Sequence, residues 1–365
     1  ISSVHNAQDP RIRHKQLQSI VSYGWRATLI TGDLQAEEGD GVRVRRVPPG
    51  NSRRWLRVLF TAPRAVFHAS RKNGDIYHIH DPELLPWALL LRLKGRAVVY
   101  DIHEDYCSSV MQKHYLPRFL RPLAGAVSKL AERALARPCY KVIAEKYYQK
   151  RFPEAVPLCN YPHSSLLDCG RAFSADSRWL LYTGNVTESR GALTMARLLR
   201  ARPEFSLVIS GYCPEDVARS MRMEADAAVE NLHLLGWDRY VPFQEIVQTY
   251  SAGGWLAGLA LFPDCEHYRE KELTKFFEYM AVGLPVVASD FPAWRELIHN
   301  QGVGLCVDPE DPQETAKALD WLRANPDKAR TMGQKGRKLV TEKHNWETQS
   351  QMLLELYQQI AGTNS

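Results

Sequence analysis

EKELTKFFEYMAVGLPVVAS, residues 270–289, reads as a helix, a turn and a strand in succession. Thr274 is a residue type that caps helix N-termini, and KFFEYMAV puts Phe276, Phe277 and Met280 on one apolar side. Gly283 followed by Leu-Pro ends the helix, and PVVAS continues as a short buried strand. Amides of the first turn, near Lys275 and Phe276, precede any acceptor in the helix. With the dipole they offer a seat for phosphate oxygens. Glu278, one turn further in, would repel a phosphate, so a neutral diol such as a ribose is its natural partner. Glu270 lies in the preceding loop, where it can accept hydrogen bonds from sugar hydroxyls beyond a pyrophosphate. The plainer reading of the same spacing is two solvated surface carboxylates, and Glu266 and Glu272 show how common acids are nearby.

Outward from this segment, short β-rich runs alternate with helical ones. RATLITG, DIYHIHD, AVVYDIHED and KVIAE are strand patterns, separated by helical stretches such as PRIRHKQLQSIVSYG and PELLPWALLLRLKG. Periodicity lapses over residues 159–177, a linker, and a second series follows: WLLYTG, ALTMARLLRA, FSLVISG, LHLLG, FQEIVQTYSAG, GLALF, the opening segment and GVGLCVD. The expected fold is α/β, two Rossmann-like doubly wound domains facing a cleft, with ligands beyond the carboxyl ends of strands. No internal repeat or GxGxxG after a strand is present, which argues against a hydride-transfer enzyme.

The chain has 365 residues and a formal net charge of +6. That charge is divided unevenly: residues 1–165 hold 26 Lys and Arg against 14 Asp and Glu, and the remainder is acidic. A basic half attracts anionic lipid, phosphorylated substrates or nucleic acid, but no zinc finger or RNA-recognition signature accompanies it, so no nucleic-acid partner is expected. LPWALLL and GGWLAGLALF fall well short of the roughly 20 residues of a membrane span. Seven scattered cysteines without a CxxC pair fit a reducing cytoplasm and argue against a disulfide framework or a zinc site. ISSVHN at the start is read as lying inside a first β-strand.

EKELTKFFEYMAVGLPVVASDFP resembles the E-x7-E segment of retaining glycosyltransferases of the GT-B fold (glycosyltransferase family 4-like, group 1). VHNAQDPRIRHKQLQSIVSYGW, HIHDPELLP, VVYDIHEDY, LLYTGNVTESRG, LLGWDRYVPFQEIVQTYSAG and HNWE continue the resemblance in the family's order over nearly the whole chain. It implies an acceptor-binding domain over 1–165, a nucleotide-sugar domain over 166–345, and a last helix, 346–365, that crosses back to the first domain. It implies that Glu278 holds the donor ribose, that Glu270 contacts the donor sugar, and that Thr274, Lys275 and Phe276 form the turn facing the pyrophosphate. His103 matches a strand-end histidine beside the donor sugar; a histidine capping a strand is the structural alternative. His80 and Asp81 in HIHDP are weaker candidates, Asp81 being equally well explained by a loop-stabilising turn.

Two departures from the family's pattern stand out. After the first strand of the carboxyl domain, many relatives carry Gly-Arg and a later Lys; here TGNVTESRG has Gly184 and Asn185, leaving Arg190, at the start of a helix, as the cation of that loop. At the amino end HNAQDPR replaces a glycine-rich loop. The implied reaction transfers a glycosyl unit from a nucleoside diphosphate sugar to a saccharide or lipid-linked saccharide with retention. Arg190, Lys275 and the helix amides stabilise the leaving diphosphate, with no enzyme nucleophile, no cofactor and no metal. DPED from Asp308 reads as a turn and cap rather than a magnesium site. A sugar-nucleotide epimerase of the same frame and a non-catalytic donor-binding subunit are the alternatives.

LPRFLRPLAGAVSKLAERALARP, from Leu116, places Phe119, Leu120, Leu123, Val127, Leu130, Ala134 and Leu135 near one helical face, with Arg118, Arg121, Lys129, Arg133 and Arg137 largely elsewhere. Such a basic amphipathic helix either faces the core or meets an anionic membrane surface. The expected location is cytoplasmic, with the second reading placing the protein peripherally on the inner face of the membrane.

Overall fold

A computed structural model describes residues 1–48, 56–103, 121–170 and 172–363. The chain forms two compact units, Ile1–Asn160 joined by Trp346–Ser365, and Tyr161–Asn345.

In the first unit, helix α1 (Pro10–Leu17 continuing as Gln18–Ser22) starts at Asp9, whose Oδ1 accepts from the Arg11 and Ile12 amides at 2.9 and 3.0 Å. Strands β1 (Ala27–Thr31) and β2 (Val42–Arg46) pair in parallel. Helix α2 (Ala62–Ser70) leads to β3 (Ile76–Ile79), α3 (Leu85–Leu93) to β4 (Ala97–Ile102), and α4 (Arg121–Ala136) to β5 (Tyr140–Ile143) and β6 (Val156–Pro157). Strands β3 to β6 form a parallel four-stranded sheet in that order. Ser2 bridges Thr31 in parallel, and the Ile1 carbonyl accepts from the His80 amide at 3.1 Å, so the opening residues lie between β1 and β3. The expected strand β4 is buried along its whole length, as the run AVVYDI requires of a central parallel strand.

The second unit holds β7 (Trp179–Thr183), α5 (Ala192–Ala201), β8 (Ser206–Cys213), α6 (Glu215–Ala225), β9 (Leu232–Trp237), α7 (Phe243–Ala252), β10 (Trp255–Ala260), α8 (Thr274–Ala281), β11 (Val286–Ser289), β12 (Gly304–Val307), α9 (Pro312–Ala324) and α10 (Pro326–Glu342). Its six strands are all parallel in the order β12-β11-β10-β7-β8-β9, the doubly wound arrangement with its reversal between β10 and β7. Helix α8 buries Phe276, Phe277, Tyr279 and Met280, one ring or thioether more than the apolar side read from the sequence.

The last helix, α11 (Trp346–Thr363), belongs to the first unit. Trp346, Leu353, Tyr357 and Ile360 share a core with Ala97, Val99, Val142 and Leu158. Trp346 Nε1 donates to Ser19 Oγ at 2.9 Å, and Gln349 Oε1 accepts the Cys159 amide at 2.8 Å.

Toward their carboxyl ends, β7, β8 and β9 approach so closely that only glycine fits. A Cβ on Gly211 would lie 2.1 Å from Gly184 O, and one on Gly236 would lie 2.2 Å from Gly211 O. Gly211→Ala is therefore expected to destabilise the second unit by about 1–3 kcal/mol through overpacking. Thermal melting checks this; an unchanged midpoint would contradict the close approach.

Candidate active site

In a doubly wound sheet the crevice outside the strand ends at the reversal point is where ligands sit. Here it is bounded by the loop after β7, residues 184–191, and the loop after β10, residues 261–273. The two meet backbone to backbone: Gly191, in the left-handed region at φ 85°, stands where a Cβ would be 1.9 Å from Leu261 O. Gly184, also left-handed at φ 91°, turns the chain out of β7.

Arg190 comes from this first loop. It ends the turn Glu188–Arg190 rather than opening a helix, and Gly191 separates it from α5. Its Nη1 donates to the Asn185 carbonyl at 3.2 Å and its Nε to Tyr268 Oη at 3.4 Å, so the guanidinium is tied to both loops. Asn185 itself is exposed, and its carbonyl also accepts from Tyr182 Oη at 3.0 Å. Lys275, half-buried, has Nζ 3.4 Å above the Tyr182 ring centroid and 5.3 Å from that of Phe262. Burial first, and then the Arg190 charge, hold its ammonium well below the usual lysine range, while Glu278 pulls the other way.

The two carboxylates of the opening segment have different environments. Glu278 is half-buried, and its Oε2 accepts from Tyr250 Oη at 2.9 Å. Tyr250, fully buried, is itself 2.8 Å from Thr183 Oγ1, and the Thr183 amide donates to Tyr279 Oη at 3.0 Å. Burial and then the Glu278 charge push the Tyr250 hydroxyl well above its usual range, so it stays a donor and Glu278 a fixed acceptor. Glu270 is exposed, in a loop anchored by Trp294 Nε1 donating to Lys271 O at 2.7 Å and by Tyr161 Oη donating to Glu272 at 3.2 Å.

Two expectations for the helix start are corrected. Leu273 occupies the N-cap position without a side-chain cap bond, and Thr274 is the first helical residue. The Phe276 amide is not open, because it donates to Leu273 O at 3.0 Å, and its ring lies in the core with its centroid 4.9 Å from that of Trp294. The amides without an intrahelical acceptor are those of Thr274 and Lys275.

His103 belongs to the first unit, just past β4. Its Nε2 is 2.9 Å from Oδ2 of the fully buried Asp101 and 3.1 Å from His80 Nδ1. Asp101 also receives the Arg11 fork at 3.1 and 2.8 Å and Gln16 Nε2 at 2.6 Å. Burial opposes its charge, yet Arg11 and His103 outweigh burial and hold it well below the carboxylate range. Asp81, in contrast, anchors the opening loop: it accepts from the Ser3 amide at 2.6 Å and Ser2 Oγ at 2.9 Å, and pairs with His5 at 2.9 Å. Reasoning from sequence missed Asp101, Arg11 and Gln16. The signal that could have found the first is the spacing: His78 on β3 and His80 just past it, and Asp101 on the neighbouring β4 and His103 just past it, are each two apart along an extended chain and so fall on one side.

His78, His80 and Asp101 bring donor atoms within 4.8 Å of one another, the geometry of a metal cluster among the described residues. Asp101 already carries a bidentate guanidinium and a glutamine amide, and a cation at 2.8 Å opposes a second one, so the donor set fits a hydrogen-bonded hub better than an ion.

Residues 175–339 match the family described as glycosyl transferases group 1, and residues 14–145 match the glycosyl transferase 4-like domain. The chain is 21% identical over 314 residues to the phosphatidyl-myo-inositol mannosyltransferase of Mycobacterium tuberculosis, covering 80% of this chain and 75% of that one. Sucrose-phosphate synthase from Thermosynechococcus elongatus superposes with a TM-score of 0.75 at 19% identity over 99% and 95% of the two chains. Anabaena HepE, solved in complex with UDP and glucose, does so with a TM-score of 0.69 at 15% identity over 94% of each. These likenesses identify the fold as GT-B.

Burial holds the neutral form of His78 down to about pH 3, against an ordinary histidine near 6.5. Between those values the unfolded chain binds a proton that the native one does not. Stability therefore falls with falling pH, by up to about 1.4 kcal/mol per unit from this residue. Buried His80 acts in the same sense. Urea midpoints measured from pH 7 to 5 should decline, and His78→Asn should flatten the slope; an unaltered slope would refute the assignment.

Proposed function

We propose, for a chain that belongs to the group 1 glycosyl transferases, that it moves a sugar from a nucleoside diphosphate donor to a hydroxyl of a saccharide or lipid-linked saccharide, in glycan or polysaccharide biosynthesis, with retention of anomeric configuration. The observation that carries this reading is the convergence at one reversal point of two cations, Arg190 and Lys275, the leading amides of α8, and a carboxylate held by a buried tyrosine. A UDP complex of the structurally similar HepE supports a nucleotide in such a site.

In this reading the diphosphate lies against the amides of Thr274 and Lys275, with Arg190 and Lys275 neutralising the charge that grows on it as the glycosidic bond to it loosens. Gly184 and Asn185 line its approach through the main chain. Glu278, kept in place by Tyr250, accepts from the ribose hydroxyls, and Glu270, reaching from its loop, accepts from the donor sugar. In the first unit, Asp101 fixes the orientation of His103 through Nε2. The chain's own residues supply no nucleophile in this scheme; the acceptor hydroxyl attacks the face the diphosphate leaves, and the diphosphate takes its proton. Fixed cations take the place a metal ion would fill, so no metal or other cofactor is required.

Incubation with a panel of nucleotide sugars, with and without saccharide acceptors, tests the reading. Transfer needs both, epimerisation needs no acceptor, and a donor-binding subunit gives neither product. Glu278→Ala should weaken donor binding by about tenfold or more, and Arg190→Ala should lower kcat by about 100-fold with a smaller effect on KM. Wild-type kinetics in both variants would remove the site. Chelation of divalent ions should leave the rate unchanged.

Lys275 supplies a separate check. Its proton is loosely held in the open site, and a diphosphate beside it would draw that proton back. Donor binding thus takes up a proton, and affinity falls as pH rises. Calorimetry in buffers of different ionisation enthalpy should detect the uptake in the wild type and lose it in Lys275→Met; equal uptake in both would assign the proton elsewhere.

A further inference from the structure

Helices α2, α3 and α4 lie side by side on one face of the β3–β6 sheet, α2 touching α3 and α3 touching α4. Their inner faces share a single core, to which α2 gives Ala65 and Val66, α3 gives Leu85, Ala88 and Leu91, and α4 gives Ala136. Their outer faces are also apolar. The short turn Arg57–Thr61 and α2 present Phe60 and Phe67, seven residues apart. Leu93 of α3 is 83% exposed and Leu90 stands one turn before it. On α4, Leu123, Val127 and Leu130 are 62, 60 and 72% exposed along one stripe. Phe119 and Leu120, grouped with them in the sequence, lie outside the described residues. Leu123, Val127 and Leu130 therefore point away from the core, while Leu135 at the other end of the same read side packs against it.

With Leu59 of the short turn, 8 of the 16 strongly exposed large apolar side chains among the described residues sit on this one helical layer. Scattered surface leucines need no explanation, but a clustered set does. The exposed charges on its three helices have one sign. Across α2, α3 and α4 the sole carboxylate is Glu132, which is buried and bound by Tyr100 Oη at 2.8 Å and by Arg151. Arg64, Lys129 and Arg133 stand exposed on the layer, and Arg71, Lys94 and Arg137 just beyond its helix ends. Two of these cations lie over the exposed rings: Arg64 has its guanidinium 6.0 Å from Phe60, and Arg71 has its own 4.8 Å from Phe67.

We propose that this three-helix face docks on an anionic lipid bilayer. Apolar tips set among lysines and arginines match the boundary between headgroups and acyl chains, where long cationic side chains keep their heads among phosphates while their stems cover apolar surface. Each cation near such a surface strengthens binding about fivefold. A second copy of the chain fits the face poorly, because self-pairing would bring like charges together. A bilayer-bound enzyme would meet a lipid-linked acceptor, a consequence that rests on the transferase reading. Docking itself is measured with neither donor nor acceptor present, so it stands or falls apart from that reading.

The test is flotation of the full chain with vesicles of phosphatidylcholine alone, and of phosphatidylcholine with a third phosphatidylglycerol. The protein is expected to float with the anionic vesicles only, and less at high salt. Lys129→Glu/Arg133→Glu, and separately Leu123→Ser/Val127→Ser/Leu130→Ser, should each lower the bound fraction about tenfold with circular dichroism unchanged. Equal recovery on neutral and anionic vesicles, wild-type flotation by both variants, or no flotation at all would overturn the proposal. So would a lipid-free dimer, seen by ultracentrifugation, that the same substitutions dissolve.

Discussion

The contact on which the second unit's chemistry depends is the touch of two loops at the sheet's reversal point, Gly191 against the Leu261 carbonyl. A side chain there would push the loops apart. With none, the chain leaving β7 and the chain leaving β10 run together, and Arg190 can bond to a carbonyl of its own loop and to the Tyr268 hydroxyl of the other. Lys275 then lies near enough to Arg190 for each cation to disfavour the other. Two like charges kept together without an anion are a cost that the proposed diphosphate would remove.

The carboxylates of the opening segment are eight residues apart and differ in what holds them. Glu278 is fixed by a relay of hydroxyls that starts at Tyr279, passes Thr183 and ends at Tyr250, so α7, α8 and β7 all set its position. Glu270 rides on an exposed loop whose anchors are its neighbours Lys271 and Glu272. The first is held by a buried hydroxyl, and the second rides on a loop held through its neighbours.

Much of this architecture was legible in the sequence, because parallel strands buried on both faces read as plain apolar runs and the helices between them keep their period. ALTMARLLRA is α5 residue for residue, and the stretch 270–289 holds helix, turn and strand in the order read. Failures came where local rules compete with packing. Thr274 has the chemistry of a cap, yet Leu273 takes that position because the loop enters in extended conformation one residue earlier. Strand β2, VRVRR, alternates valine with arginine but offers only two apolar residues in five, too short a run to stand out. Asp101 was invisible as a hub because its partners Arg11 and Gln16 are about ninety positions away, and only strand pairing and helix packing bring them together.

Trp346, Leu353, Tyr357 and Ile360 complete a core whose other half is made by residues 97 to 158. On a ribosome the amino-terminal unit therefore waits, one sheet face uncovered, while every residue of its neighbour is synthesised. The carboxyl-terminal sheet, contiguous from Tyr161 to Asn345, has all its parts before the first unit does. Order of synthesis and order of completion are thus reversed, and the half-built early sheet is the stretch of this chain with the greatest need of chaperone cover.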